Sequence, residues 1–449
     1  MKRNIQTDLM AWKAKKDRKP LLLMGARQVG KTYVLKDFGE TSFRKTHYIN
    51  FEEEPQLARV FEKNLKPSRI LQDLSFHLNT SINPGEDLLI FDEIQNAPQA
   101  VTSFKYFAEE MPEIFLCGAG SLLGIHLADN HFPVGKVEIL TLYPLSFEEF
   151  LQGIGDEKSC RFLMGYDFQE SIPSVVHEHL WDRLKIYSVV GGLPEVVCAY
   201  ALLKDDLFRA CEVVRKKQRD LITSYLADVA KHSGKVNSMH IERVWRNVPA
   251  QLSKAQDGSS SKFSFKGVVP GVHGYARLSG AIDWLKTAGL IFKLPIVNKA
   301  WLPLSAYAGD NYFKLYLFDI GLLGAMSGLA PKALLDFSFG SYKGYVAENI
   351  ALQEMMSTEK GNVACWRENT SEVEFLYEID GTLFPVEVKS GWVTQAKSLK
   401  VFAEKYRPSG RVILSAKNFS WDKPHGIFHI PLYLANRLPQ VLTLLKSPP

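Results

Sequence analysis

The run Gly25-Ala26-Arg27-Gln28-Val29-Gly30-Lys31-Thr32 sits directly behind the apolar tetrapeptide Leu21–Met24 and ahead of a helical pattern that reaches Phe38. It satisfies G-x-x-x-x-G-K-[ST] at every fixed position. Such a loop constrains the fold tightly, because it works only as the turn between a buried strand and the N-terminus of a helix. Gly25 and Gly30 let the backbone aim its N–H groups at an anion. Ala26, Arg27, Gln28 and Val29 supply further loop backbone, and Tyr33 opens the helix. Lys31 is expected to reach the β/γ-phosphates of a nucleotide, and the Thr32 hydroxyl to ligate Mg²⁺, a hard cation that takes oxygen donors.

A second motif follows in order. Leu88-Leu89-Ile90-Phe91-Asp92-Glu93 is an apolar strand that ends in two carboxylates. Asp92 is expected to hold the Mg²⁺ through water, and Glu93 to polarise an attacking water. Around these motifs the first 160 or so residues alternate short apolar runs, at Leu21–Met24, His47–Phe51, Leu88–Phe91, Ile114–Cys117 and Val137–Leu142, with helical patterns. That rhythm predicts a mostly parallel α/β sheet.

The chain has 449 residues, too many for one ordinary core. A hydrophobic fraction of 46% and a charged fraction of 23% indicate a folded, globular protein. The net charge of +5 permits a polyanionic partner without demonstrating one. Five scattered cysteines with no CxxC pair suit a reducing cytoplasm, and no apolar stretch is long enough to predict a membrane span. His126 and His131 lack a metal-ligand pattern. The segment from 161 to 230 reads as a helical lid or connector, broken at Gly191-Gly192-Leu193-Pro194-Glu195. From 231 to 335, helices at Ile241–Leu252 and Leu278–Ala288 precede short strands at Leu290–Leu294 and Trp301–Leu304, a pattern suited to a winged helix. Trp245, Trp284, Trp301 and Trp366 stand among apolar residues, so core packing is expected of all four. Basic clusters at Lys13–Lys19 and Arg215–Arg219 read first as solvated helix faces.

In the remaining segment, 336 to 449, a helical run Gly344–Met356 leads into two alternating strands joined at Asp380-Gly381, the favoured two-residue hairpin turn. If Ile379 pairs with Thr382, opposed positions sum to 761 and Glu374 faces Glu387, with Lys389 on the same side. Like charges opposed on a sheet call for a cation between them.

The residues GARQVGKT, FDEIQNAP, Gly118-Ala-Gly-Ser121-Leu-Leu, Tyr143–Phe150, GGLPE, FKLYLFDIGLL and WRENTSEVEF together resemble the bacterial and archaeal AAA-type ATPases that carry a C-terminal domain of uncharacterised function. The resemblance spans nearly the whole chain. It implies an AAA/ASCE-type P-loop NTPase core that uses ATP and Mg²⁺, with Ser121 near the sensor position. The set Glu374, Glu387 and Lys389 resembles the PD-(D/E)XK nuclease motif, with Glu374 where aspartate is usual, and Glu348 matches that family's helix glutamate. The expected architecture is therefore an α/β P-loop core, a helical and winged-helix-like middle and a C-terminal restriction-endonuclease-like α/β domain. The expected function is ATP-coupled action on DNA. The alternative is a nucleotide-dependent switch or scaffold, with an inactive nuclease fold that binds a protein partner; a homo-oligomer is a separate expectation, since ATPases of this broad class often complete their sites across subunits.

Overall fold

The computed structural model describes residues 1–121, 133–256, 262–336, 342–392 and 396–444. His126, His131 and the Leu122-Leu123 pair lie outside the described residues. The chain divides into two compact units, Met1–Tyr143 with Thr287–Gly289, and Pro144–Lys286 with Leu290–Pro449.

The first unit is built on β1 (Leu21–Met24), β2 (Thr46–Asn50), β3 (Leu88–Asp92), β4 (Phe115–Ala119) and β5 (Glu138–Thr141). These strands pair only in parallel, in the order β2-β3-β4-β1-β5. The three inner strands are covered on both faces, so they are apolar almost throughout, while the edge strand β2 alternates buried and half-buried residues. A cluster of edge-to-face rings, Phe51, Phe61 and Phe91, fills one side of this core at centroid distances of 5.6 to 5.9 Å. Because β4 lies between β3 and β1, the strand that carries Asp92 is one strand removed from the phosphate loop.

The second unit holds an eight-stranded sheet made of β6 (Ile291–Val297), β7 (Ala308–Leu317), β8 (Asn362–Glu368), β9 (Ser371–Ile379), β10 (Thr382–Val388), β11 (Arg411–Ser415), β12 (Ser420–Asp422) and β13 (Ile427–Pro431). Its order is β12-β13-β11-β10-β9-β8-β6-β7. The β6–β7 hairpin, expected as a wing, pairs through Ile296 and Val297 with Cys365 and Trp366 of β8, so one sheet crosses the expected boundary near residue 335. The strand expected at Trp301–Leu304 is instead a turn that leads into a short 3₁₀ segment, Leu304–Tyr307, and the returning strand begins at Ala308. Pro303 has no N–H to give to a ladder, which disfavours a strand there. The hairpin register matches the arithmetic: Thr382 opposes Ile379 and Val386 opposes Phe375, with Asp380 and Gly381 at φ 47° and 73° in the turn.

Three motifs of the second unit meet in a buried polar hub. Ser146 and Glu149 form a reciprocal cap on the helix Phe147–Gly153, which explains the Ser-Phe-Glu-Glu spacing. Phe147 N–H donates to Glu354 Oε1 at 2.9 Å, and the Tyr187 hydroxyl reaches both that oxygen (3.1 Å) and the Leu145 carbonyl (2.7 Å). Asp319 accepts from Gly192 N–H at 2.7 Å and from Leu322 N–H at 2.9 Å. Gly192 admits no side chain, since a Cβ would stand 2.3 Å from the Leu145 carbonyl oxygen. On the helix Tyr342–Met356, Asn349 brackets the Leu317 backbone and Gln353 accepts from Ile320 N–H. Arg215 also turns inward, donating to the Gly321 and Leu329 carbonyls, so its basic cluster is only partly a solvated face.

Burial pushes the Glu354 carboxyl up to about 8 against its hydrogen bonds to Phe147 and Tyr187, and its second oxygen has no hydrogen-bond partner among the described residues. An acid whose folded pKa exceeds its unfolded value of about 4.3 gives stability that is complete below pH 4 and declines until about pH 8. Glu354→Gln copies the protonated acid. In denaturant titrations the variant should match the parent near pH 4.5 and exceed it by several kcal/mol at pH 8.5, where the parent must ionise the buried group.

Candidate nucleotide site and the C-terminal carboxylate cluster

The phosphate loop turns where β1 meets the helix Lys31–Ser42. Gly25 (φ 142°) and Gly30 (φ 97°) take conformations closed to other residues, and a Cβ on Gly25 would lie 2.3 Å from the Leu142 carbonyl oxygen. Gln28 also has a positive φ, 63°. Ala26 and Val29 are buried under the loop, while Tyr33 is exposed on the first helical turn. Lys31 is folded back into the loop, its ammonium donating to the Gly25 and Ala26 carbonyls at 3.0 and 2.8 Å. Burial lowers its pKa to about 8 in spite of Glu93 and Asp92 nearby. Arg27 stands 3.9 Å from Glu52 in a half-exposed ion pair.

At the end of β3, Asp92 is nearly inaccessible and its Oδ2 accepts from Thr32 Oγ1 at 2.6 Å. The motif pair read from the sequence thus meets directly, and two hard oxygens of the kind that suit Mg²⁺ lie side by side. The same Oδ2 accepts from the Tyr48 hydroxyl at 2.9 Å. Tyr48 belongs to no motif; its place is fixed by β2, which pairs Asn50 with Asp92. The next residue, Glu93, is held at φ 48°, a strained angle for a side chain of its size, and Gln95 donates to its carboxylate. Burial raises the Glu93 pKa, with the Gln95 hydrogen bond opposing. Ser121 follows β4 by two residues, and the register Leu23–Ala119 and Phe91–Gly118 brings it out at the same carboxyl edge as Gly25 and Asp92, buried. Lys136 pairs with Glu109 at 3.0 Å on the surface.

Residues 17–151 match the family model described as AAA domain. That segment is an AAA-type P-loop ATPase domain. Residues 182–333 and 343–434 match two further family models, each described as a domain of unknown function. No curated protein matches the sequence. Among solved structures, the Walker-type ATPase of Pyrococcus abyssi is 17% identical, covering 72% of this chain and 95% of its own with a TM-score of 0.46. The RuvB Holliday junction branch migration motor of Thermotoga maritima is 16% identical, with coverages of 67% and 88% and a TM-score of 0.30. The ORC1 protein of Aeropyrum pernix, solved in complex with DNA, is 13% identical, with coverages of 74% and 92% and a TM-score of 0.29. Likeness this distant transfers no chemistry.

In the second unit Glu348, Glu374, Glu387 and Lys389 share one neighbourhood. The Lys389 ammonium pairs with Glu387 Oε1 at 2.5 Å, and Glu374 Oε2 accepts from Val388 N–H at 3.2 Å. Burial, then repulsion from Glu387 and Glu348, holds the Glu374 carboxyl well above the usual range. Burial opposes the charge of Lys389, yet Glu374 and Glu387 outweigh it and raise its pKa. Glu348, on the helix Tyr342–Met356, accepts from the Tyr316 hydroxyl at 2.8 Å. Lys314, which belongs to no sequence motif of the site, enters from β7: it is buried, paired with Glu372 and attracted by Glu348. One oxygen of Glu387 is buried without a hydrogen-bond partner among the described residues. Among the described residues no three His, Cys, Asp or Glu side chains are placed to hold a metal ion.

Tyr48→Phe removes one of two hydroxyl donors to Asp92 and leaves the ring in place. Nucleotide affinity measured with Mg²⁺ should fall roughly tenfold to a hundredfold, as removal of one hydrogen bond to a charged group implies, and affinity measured with EDTA should be unchanged.

Proposed function

We propose that this protein is a Mg²⁺-dependent ATPase whose nucleotide cycle drives action on DNA by its C-terminal unit. The observation that carries the ATPase half is the convergence of the phosphate loop, the Thr32–Asp92 contact and the strained Glu93 at one carboxyl edge of a parallel sheet. Lys31 would leave the loop carbonyls for the phosphates, and its site between Glu93 and Asp92 keeps a cation available there. Thr32 and Asp92 would hold Mg²⁺, which when bound screens the phosphate charge. Glu93, its proton affinity raised by burial, would orient and polarise water, with Ser121 beside it as a polar contact to the terminal phosphate.

The DNA half rests on the C-terminal cluster. A helix, the antiparallel run β8-β9-β10, the helix Lys397–Tyr406 and a parallel β11 follow in succession, and that order supports a nuclease-like fold with Glu348, Glu374, Glu387 and Lys389 as its site. A second reading, a nucleotide-dependent switch whose nuclease-like fold is inactive and binds a protein partner, is favoured by one observation. Lys389 already neutralises Glu387, and among the described residues no trio of carboxylates converges on a point.

Glu93→Gln should retain ATP and lose turnover by about a hundredfold or more, while Lys31→Ala should lose ATP binding itself. Steady-state phosphate release and equilibrium nucleotide binding separate the two, and normal nucleotide affinity in Lys31→Ala would remove the assignment. For the C-terminal unit, labelled single- and double-stranded DNA is incubated with Mg²⁺ or Mn²⁺, with and without ATP. Cleavage that disappears in Lys389→Ala establishes a nuclease, and no cleavage under any condition selects the inactive fold.

A further inference from the structure

Of the four tryptophans expected in the core, three are there: Trp245, Trp284 and Trp366 are at most 8% exposed. Trp301 is not, at 52%. Its chain neighbours Ala300 and Leu304 are buried in the cluster around Trp366 and Phe402, so the indole stays outside while the backbone beside it packs. The ring is nonetheless oriented, meeting Tyr406 edge to face at 5.4 Å and 70°. A fixed, half-exposed aromatic has a flat face to offer a ligand.

Cations surround it. Lys299 is exposed two residues earlier, its ammonium 5.9 Å from the Tyr307 ring, and no ion pair involves it among the described residues. The helix Lys397–Tyr406 turns Leu399 and Phe402 inward and presents Lys397, Lys400 and Lys405 to solvent, spread over about 12 Å along the axis with one acid, Glu404, exposed among them. Arg407 is exposed at its end, and of these cations Lys405 alone has an ion-pair partner among the described residues, Glu368. Beyond Trp301, Leu302 to Ser305 form one wall of a cavity of about 800 Å³, and Lys286 and Lys293 line it elsewhere, with Asp310 and Glu378 as its acids. Stacking rings set among spaced ammonium groups suit a strand whose bases are unpaired and whose backbone is anionic. A protein partner would instead call for a contiguous aliphatic patch; here the exposed apolar atoms are rings and single residues, Leu302 and Val401, set among lysines.

We infer that Trp301 and Tyr406, with Lys299, Lys397, Lys400 and Lys405, form a platform for single-stranded nucleic acid. The platform rests on the reading that the C-terminal unit acts on DNA and supplies that reading with a strand-binding surface.

The test is fluorescence anisotropy of a labelled oligothymidylate at low salt, on the full chain. Trp301→Ala should weaken binding roughly 5- to 100-fold, and Trp301→Phe, which keeps a stacking face, should recover most of it. The double variant Lys299→Ala/Lys400→Ala should flatten the dependence of log affinity on log salt by about 0.7 for each phosphate that the protein no longer neutralises. ATP turnover and circular dichroism of each variant establish that it is folded. Oligonucleotide affinity that is unchanged in folded Trp301→Ala overturns the platform but leaves DNA action standing on another surface. A parent that turns over ATP yet does not bind the oligonucleotide overturns both the platform and the DNA half of the proposal, with the ATPase intact.

Discussion

The hydrogen bond from Thr32 to Asp92 joins residues sixty positions apart, and the whole first unit is arranged so that it can form. It needs the phosphate loop at the carboxyl end of β1, Asp92 at the carboxyl end of β3, and a sheet rigid enough to keep both ends level across the intervening β4. Full burial of the inner strands supplies that rigidity. Each inner strand is flanked by two parallel neighbours, and a one-residue slip would point Asp92 into the core, with an unpaired charge at a cost of several kcal/mol. The inserted strand also gives the edge a third polar contributor, Ser121, between the two motif strands.

The second unit solves a different problem. Its helices and sheet are fastened by side chains that bond to backbone: Glu354 to Phe147, Asp319 to Gly192 and Leu322, Asn349 to Leu317 and Gln353 to Ile320. Such contacts fix where loops enter and leave helices, which apolar packing alone leaves loosely specified. The two acids must be buried for this, and burial drives the Asp319 carboxyl to about 6 and the Glu354 carboxyl to about 8.

What could be read from the sequence follows the range of the interaction. The phosphate loop is a contiguous motif whose glycines state their own backbone angles, and the strand ending in Asp92 and Glu93 announces itself by composition. The β9–β10 register, from Thr382–Ile379 to Val386–Phe375, was legible because an Asp-Gly turn fixes the pairing of the residues outward from it. Tyr48 was not, since a single tyrosine on an edge strand acquires its role only through the pairing of β2 with β3. The union of β6 with β8 was hidden too, for a parallel pair about seventy residues apart leaves no local trace. Trp301 misled because its neighbours are apolar, and composition does not distinguish a residue that packs from one held beside the packing.

The motifs GGLPE and FKLYLFDIGLL, together with the Ser-Phe-Glu-Glu cap, converge on Gly192, Asp319, Tyr187 and Glu354, inside the second unit. A saturation mutagenesis screen scored by cellular phenotype would therefore mark these positions as intolerant and draw the eye to them as an active site. The screen would be measuring folded abundance. Only a readout normalised to the amount of native protein would separate that cluster of sensitive positions from Lys31, Asp92 and Glu93 at the candidate nucleotide site.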